Sequence, residues 1–199
     1  AVDAQLRLLQ AQIEPHFLFN TLANVQQLVE SGSERAGPVL RSLIAYLRAA
    51  MPKLHDERQT LGNELAMVRA YLELMQMRMP DRLQFRVDAG NVAQDLVFPA
   101  LGLLTLVENA VRHGIDPSET GGRIDVTAQF DEQPGEIRIA VADTGVGLRE
   151  TSASGLGLAN LRARLSAAFG PGARLEMHEV APHGVRAQIV FMAPSAPPP

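Results

Sequence analysis

The first part of the chain, up to about Met79, repeats its apolar residues at helical spacing. One seam alternates steps of four and three residues, and Thr60 precedes it as a cap: Leu61, Leu65, Val68, Leu72, Met75 and Met79. Shorter stripes earlier in the chain predict a long, broken first helix, followed by a turn over residues 52–59. One helical hairpin buries little apolar surface, which favours a dimeric four-helix bundle over a monomeric hairpin packed on its own second half.

From about Arg82 the apolar residues alternate with a period of two, which predicts strands. Four segments show this pattern: RLQFRVD, RIDVTAQF, EIRIAVAD and GVRAQIVF. Helical segments over residues 99–113 and 156–169 lie between them, so we expect a mostly antiparallel sheet with helices on one face. The sequence therefore predicts an α+β chain.

The two patterns meet at Met79-Pro80-Asp81, where proline disfavours helix in the residue before it. We expect a helical domain over residues 1–79 and an α/β domain over residues 80–193. Residues 194–199 are proline-rich, so we expect a disordered tail.

Composition narrows the classes of function. The 199 residues carry a net charge of −4 and no cysteine, which excludes disulfides and thiolate metal sites and gives no overall attraction to nucleic acid. No apolar run reaches the length that crosses a bilayer. His55, His178 and His183 lack partners at metal-ligand spacing, so we read them as surface residues and expect no zinc site.

Polar residues interrupt the helical segment PALGLLTLVENAVRHG near its end. Glu108 and Arg112 are four residues apart, as are Asn109 and His113, which places all four on one continuous helix face. A carboxylate, an amide and a cation on a mainly apolar helix indicate a polar site. A solvated face with an ordinary ion pair is the alternative.

Two glycine-rich segments follow. In VADTGVGL, Asp143 stands at a strand end, and Gly145 and Gly147 permit close backbone approach to a ligand. In SASGLGLANLRARL, Gly155 and Gly157 open a helix whose N-terminal N–H groups suit a phosphate. Two ordinary loop turns are the alternative reading of these glycines.

The order of these segments resembles the N, G1 and G2 boxes of the GHKL (Bergerat) ATP-binding fold. Three further segments, QAQIEPHFLFNTL, LGNELAMVRAYLELMQMRMPDRL and LTLVENAVRHGI, resemble the LytS/YehU-type sensor histidine kinases. The resemblance runs from about Gln5 to about Phe191. It implies ATP and Mg²⁺ as cofactors.

The resemblance also implies roles for individual residues. His16 would accept the phosphoryl group, Asn109 would hold Mg²⁺ with the ATP phosphates, and Glu108 would polarise a water or the metal shell. Asp143 would bind the adenine amino group. Gly145 and Gly147 would shape the adenine pocket. Gly155, Leu156 and Gly157 would form the far end of a lid over residues 144–157. Arg112 and His113, the pair after the N box, would line the phosphate side, and Asn160 of the following helix would also bind the nucleotide.

Pro15 lies directly before His16, and its ring should bend the helix and expose the imidazole. Asn20 lies one helical turn after His16 on the same face, where it could orient the acceptor or a water. The segment from Leu74 to Arg82 is the predicted hinge between the two domains.

By the same resemblance the expected partners are a second copy of the chain and a response regulator with a receiver domain, such as one of LytTR type. The expected location is the cytoplasmic portion of a bacterial inner-membrane sensor, anchored through an N-terminal region. The alternatives are an ATP-driven conformational switch without histidine phosphorylation, a serine kinase, and a non-enzymatic scaffold.

Overall fold

The computed structural model describes residues 15–50, 59–148 and 156–193, with side chains from Leu18 to Leu47, from residue 59 to 148 and from residue 157 to 193. The helices are α1 (Pro15–Glu30), α2 (Ala36–Ala50), α3 (Leu61–Arg78), α4 (Gly102–Asn109), which continues as a π-helical turn (Ala110–Ile115), and α5 (Leu156–Phe169). The strands are β1 (Leu83–Asp88), β2 (Gly122–Asp131), β3 (Glu136–Asp143), β4 (Arg174–Glu179) and β5 (Val185–Met192). The α+β fold class is confirmed.

Several predictions fall outside the described residues. They are the turn over residues 52–58, the disordered tail, the apolar stripe before Pro15, the placement of His55 and the placement of Gly155. The bend expected at Pro15 involves residue 11, so it also lies outside them and stays a prediction.

The first helix is broken, as the spacing predicted, and the break falls between Glu30 and Ala36. The intervening segment, SGSER, is rich in serine and glycine, which are typical of loops. The backbone N–H of Ser33 donates a hydrogen bond to the carbonyl oxygen of Leu28 at 2.9 Å, which closes the end of α1. Helices α1 and α2 therefore form a hairpin of their own ahead of α3.

Helix α3 begins where the sequence predicts, because the Thr60 hydroxyl accepts a hydrogen bond from Asn63 N at 3.3 Å. The heptad-like seam is buried along its whole length. A second face, which the heptad pattern does not show, is buried as well: Glu64, Met67, Tyr71 and Leu74. The reason is that α3 lies between α2 and α4. It contacts α2 through the rings of Tyr46 and Tyr71, whose centroids are 6.0 Å apart.

The five strands form one mixed sheet in the order β1-β2-β3-β5-β4. Only the β1–β2 pair is parallel, so the expected mostly antiparallel sheet is confirmed. The sequence reading missed β4, whose segment RLEMHE is mostly charged. A short charged strand is typical of a sheet edge, and here Leu175 and Met177 are its only apolar residues.

Helices α4 and α5 cover one face of the sheet, against buried residues such as Val126, Ile139 and Ile189. The opposite face carries exposed charges, including the Arg123–Asp125 pair at 2.6 Å. This arrangement places the π-helical turn over the ends of β2 and β3. Among the described helices, none is long and apolar enough to cross a membrane.

We predict that Ile139→Ala lowers the free energy of unfolding by about 2–5 kcal/mol, because it leaves a cavity between the sheet and its helices. Ile139 is fully buried at the centre of the sheet. Denaturant unfolding of the purified chain measures the change. The matched control is Gln129→Ala on the exposed face of β2, which should cost less than about 0.5 kcal/mol. Equal losses in the two variants would contradict this account of the core.

Candidate nucleotide-binding site

Asp143 ends β3 and keeps only 4% of its surface exposed. The backbone N–H of Gly145 donates a hydrogen bond to its Oδ1 at 2.8 Å, and the backbone N–H of Val185 donates a second one. Burial raises the pKa of Asp143, while these two hydrogen bonds oppose the increase. The site thus presents a buried carboxyl that the backbone orients, which is a suitable acceptor for an amino group.

Three glycines make room for this carboxyl. A Cβ at Gly114 would lie 2.6 Å from Asp143 Oδ1. A Cβ at Gly145 would collide with the backbone of Gly114. The backbone N–H of Val146 also donates a hydrogen bond to the carbonyl oxygen of Gly114, at 3.1 Å. A Cβ at Gly184 would collide with the carbonyl of Asp143. The sequence reading named Gly145 but missed Gly114 and Gly184, because only the fold brings these three positions together.

An open cavity, of about 410 Å³ with the solvent at its mouth included, lies against Asp143. Four of the predicted site residues line it: Asn109, His113, Asp143 and Gly147. Its apolar wall comes partly from β4 and β5, through Met177, Val185 and Ala187. A mainly apolar cleft with a few fixed polar groups is typical of a small-molecule site, and these residues fit an adenine ring with its amino group on Asp143.

The helix that carries these polar residues ends in a π-helical turn. Its wider hydrogen bond, from Asp116 N to Val111 O at 2.8 Å, adds one residue to the turn. Asn109 and His113 line the cavity, whereas Arg112 is exposed. The expectation that Glu108, Asn109, Arg112 and His113 share one continuous face stays a prediction.

Glu108 does not line the cavity. Burial raises the pKa of Tyr71 on α3, and the nearby negative charge of Glu108 raises it further. The carboxylate of Glu108 is thus close to α3. Its expected action on a water or on the metal shell stays a prediction.

The remaining predicted residues lie elsewhere. Leu156 and Gly157 are the first residues of α5, and Gly157 packs near Thr105 of α4. Asn160, one turn further, is exposed and does not line the cavity. On the following turn, Arg164 donates to the carbonyl of Ala100, just ahead of α4. The N-terminus of α5 therefore faces α4.

His16 lies on the described backbone of α1. Asn20, on the next turn, lines a different cleft of about 380 Å³ between α1, α2 and α3, together with Thr21, Asn24 and Arg78. The cleft beside α1 and the cavity at Asp143 are thus separate.

His183 has a role that the sequence reading missed. It lies at the surface, as expected, but its Nδ1 is 2.8 Å from the carbonyl oxygen of Gly145. A carbonyl only accepts hydrogen bonds, so Nδ1 carries the proton. His183 thereby holds the loop that follows Asp143 against the loop between β4 and β5.

Residues 4–83 match the family described as Histidine kinase, and residues 97–196 match the family described as Histidine kinase-, DNA gyrase B-, and HSP90-like ATPase. The catalytic domain of histidine kinase ThkA has a similar fold, with 17% identity and a TM-score of 0.50 over 68% of this chain and 94% of that chain. The histidine kinase domain of a blue-light activated kinase from Erythrobacter litoralis, at 19% identity, gives a TM-score of 0.52 over 95% of this chain and 91% of that chain.

The chain belongs to the histidine kinases with a GHKL-type ATP-binding domain. Within that class it is similar to the sensor histidine kinase/phosphatase LytS of Staphylococcus aureus, with 36% identity over 187 residues. The match covers 87% of this chain, which spans 32% of the length of that relative.

We predict that Gly145→Ala weakens ADP binding by at least about tenfold, because the new methyl group collides with Gly114 and displaces the loop that holds Asp143. Calorimetric titration with ADP measures the affinity. Gly172→Ala is the matched control, since nothing lies within 4 Å of its added methyl group. Unchanged binding by Gly145→Ala would mean that nucleotide does not occupy this cavity.

Proposed function

We propose that this chain is the kinase core of a two-component sensor, which transfers the γ-phosphoryl group of Mg·ATP to His16. One observation carries the proposal: the same chain contains two features. The helix with His16 lies in the region that matches the histidine kinase family, and the cavity at Asp143 lies in the region that matches the ATPase family. The similarity to LytS over most of the chain supports the same reading.

Bound Mg·ATP would supply the phosphoryl group, and the residues of the cavity would bind and orient it. Asp143 would accept from the adenine amino group, and Gly147 together with the apolar wall of the cavity would contact the ring. Asn109 would hold the magnesium ion, and His113 would face the phosphates from the same helix. The expected lid lies partly outside the described residues, and its action on the phosphates stays a prediction. Such a site works by positioning and charge neutralisation.

Neutral imidazole is a competent nucleophile near pH 7, because its ordinary pKa is about 6.5. A ring nitrogen of His16 forms the new bond to phosphorus while the bond from the γ-phosphorus to the bridging oxygen breaks, and ADP leaves. Asn20, four residues along α1, lines the neighbouring cleft and orients the acceptor or a water. The roles of Arg112 and Asn160 in phosphate binding stay predictions, since both are exposed.

We predict that incubation with γ-labelled ATP and Mg²⁺ gives an acid-labile, alkali-stable label, and that His16→Ala reduces this label to background. The reason is that a phosphoramidate bond hydrolyses in acid, whereas a serine phosphate ester does not. His178→Ala is the matched control, because this exposed histidine lies on β4. Equal labelling of the His16 variant and the wild type would refute the acceptor assignment.

We also propose that two copies pair through α1 and α2. Large apolar side chains are exposed on these helices, at 70% for Phe19, 62% for Val29 and 41% for both Leu40 and Ile44. Phe19, Leu22 and Val29 follow helical spacing along one stripe of α1, which is typical of an interhelical seam. A second copy of the same hairpin would cover this stripe and complete a four-helix bundle.

We predict that the double substitution Val29→Glu and Leu40→Glu raises the dimer dissociation constant at least about a hundredfold, because buried, unpaired charges oppose association. Sedimentation equilibrium measures the change. Gln27→Glu on the exposed surface of α1 is the control for added charge. A chain that is monomeric before substitution would contradict the proposed dimer.

The proposed second step passes the phosphoryl group from His16 to an aspartate of a response regulator receiver domain. It follows from the similarity to a sensor histidine kinase. The type of regulator, the membrane anchor and the cytoplasmic location expected from the sequence resemblance stay predictions.

A further inference from the structure

The N-terminus of α4 is capped by a residue from another helix. Leu101 precedes α4 in a left-handed conformation, with φ of 58°, and makes no side-chain cap. Glu64 of α3 replaces it, since Oε1 accepts from Leu101 N at 2.7 Å and Oε2 accepts from Leu103 N at 3.0 Å. Gln59 Nε2 also donates to Oε1, at 3.0 Å. This carboxyl is completely buried, so its hydrogen bonds do not compete with water.

The other end of the same helix is held from the last turn of α3 and from the turn that follows it. The π-helical turn that continues α4 ends at Ile115, and the Arg82 guanidinium lies against the carbonyls that follow. Arg82 Nη2 donates to Asp116 O at 2.9 Å and to Ser118 O at 2.6 Å. Arg78, in the last turn of α3, pairs with Asp116 at 2.8 Å.

Charge suits this arrangement. An acidic group lies at the positive N-terminal end of the α4 helix, and arginines lie at its negative C-terminal end. Glu64 lies in the first turn of α3 and Arg78 in its last turn, so the contacts occur at both ends of α3.

We propose that α3 and the turn that follows it hold the helix α4 at both ends, with Glu64 and Arg82 as positioning residues for Mg·ATP. The inference rests on the proposed binding of Mg·ATP by Asn109, which this helix carries. Because α3 also packs on α2 through Tyr71 and Tyr46, a displacement of the helical hairpin is delivered to Asn109 and His113. Arg78 and Arg82 thus restrain the segment where the sequence placed a hinge.

The test uses Glu64→Gln and Arg82→Gln. Glutamine in place of Glu64 keeps the shape of the side chain but turns one acceptor into a donor that faces a backbone N–H. The controls are Glu73→Gln, at a less buried position of α3, and Arg86→Gln, which removes an exposed pair with Asp88. Two quantities are measured in each variant: amide hydrogen exchange, and the affinities for adenosine and for a non-hydrolysable Mg·ATP analogue.

We expect the amides of Leu101 and Leu103 to exchange at least about tenfold faster in Glu64→Gln. One of them then faces an N–H donor, and the other keeps only a neutral acceptor, which is weaker than a carboxylate. Affinity for the Mg·ATP analogue should fall about tenfold, a change of about 1.4 kcal/mol. Affinity for adenosine should stay within about twofold, because the backbone N–H groups that orient the Asp143 carboxyl belong to Gly145 and Val185, which lie outside α4. Arg82→Gln should speed exchange of the amides in the π-helical turn and also weaken analogue binding, while both controls behave as wild type.

Unchanged exchange and unchanged analogue affinity in Glu64→Gln and Arg82→Gln would overturn the inference. An equal loss of adenosine and analogue binding in Glu64→Gln would overturn it too, because that outcome indicates a general structural role. A wild-type chain that binds neither ligand would instead refute the proposed function. In that case the exchange rates of the Leu101 and Leu103 amides decide by themselves whether α3 holds α4.

Discussion

Asp143 is a carboxyl at the end of a core strand, where water solvates it poorly and where backbone N–H groups take over part of that solvation. This constraint shapes its surroundings. Gly114 and Gly184 approach the residue so closely that neither position has room for a side chain. The π-helical turn, the end of β3 and the start of β5 therefore meet at one carboxyl, and the nucleotide cavity forms beside it.

The π-helical turn links this carboxyl to the helix α4, which also lines the cavity. Gly114 lies within the turn, and Val146 bonds to its carbonyl. Asn109 and His113 line the cavity, while Arg112 is exposed. A π-helical turn inside an otherwise α-helical run is frequent at functional sites.

Helix α3 is buried on two faces because it packs between the helical hairpin and the nucleotide-binding layer. Its apolar seam and the Tyr46–Tyr71 contact join it to one side, and the buried carboxyl of Glu64 joins it to the other. A buried carboxylate with several N–H donors is costly to separate from them. The position of the nucleotide-binding helix is for this reason tied to that of α3, and through α3 to the hairpin that carries His16.

Local patterns were sufficient to predict the helices, four of the five strands and the Thr60 cap, since periodicity is a property of neighbouring residues. The roles expected for Asn109, His113 and Asp143 come from the family resemblance and stay predictions. The sequence could not show β4, because a charged edge strand has little apolar alternation. It also could not show the meeting of Gly114 with Gly145, the hydrogen bond of His183 or the cap that Glu64 places on α4. These contacts join residues far apart in the chain, and only the packing of the helices on the sheet brings them together.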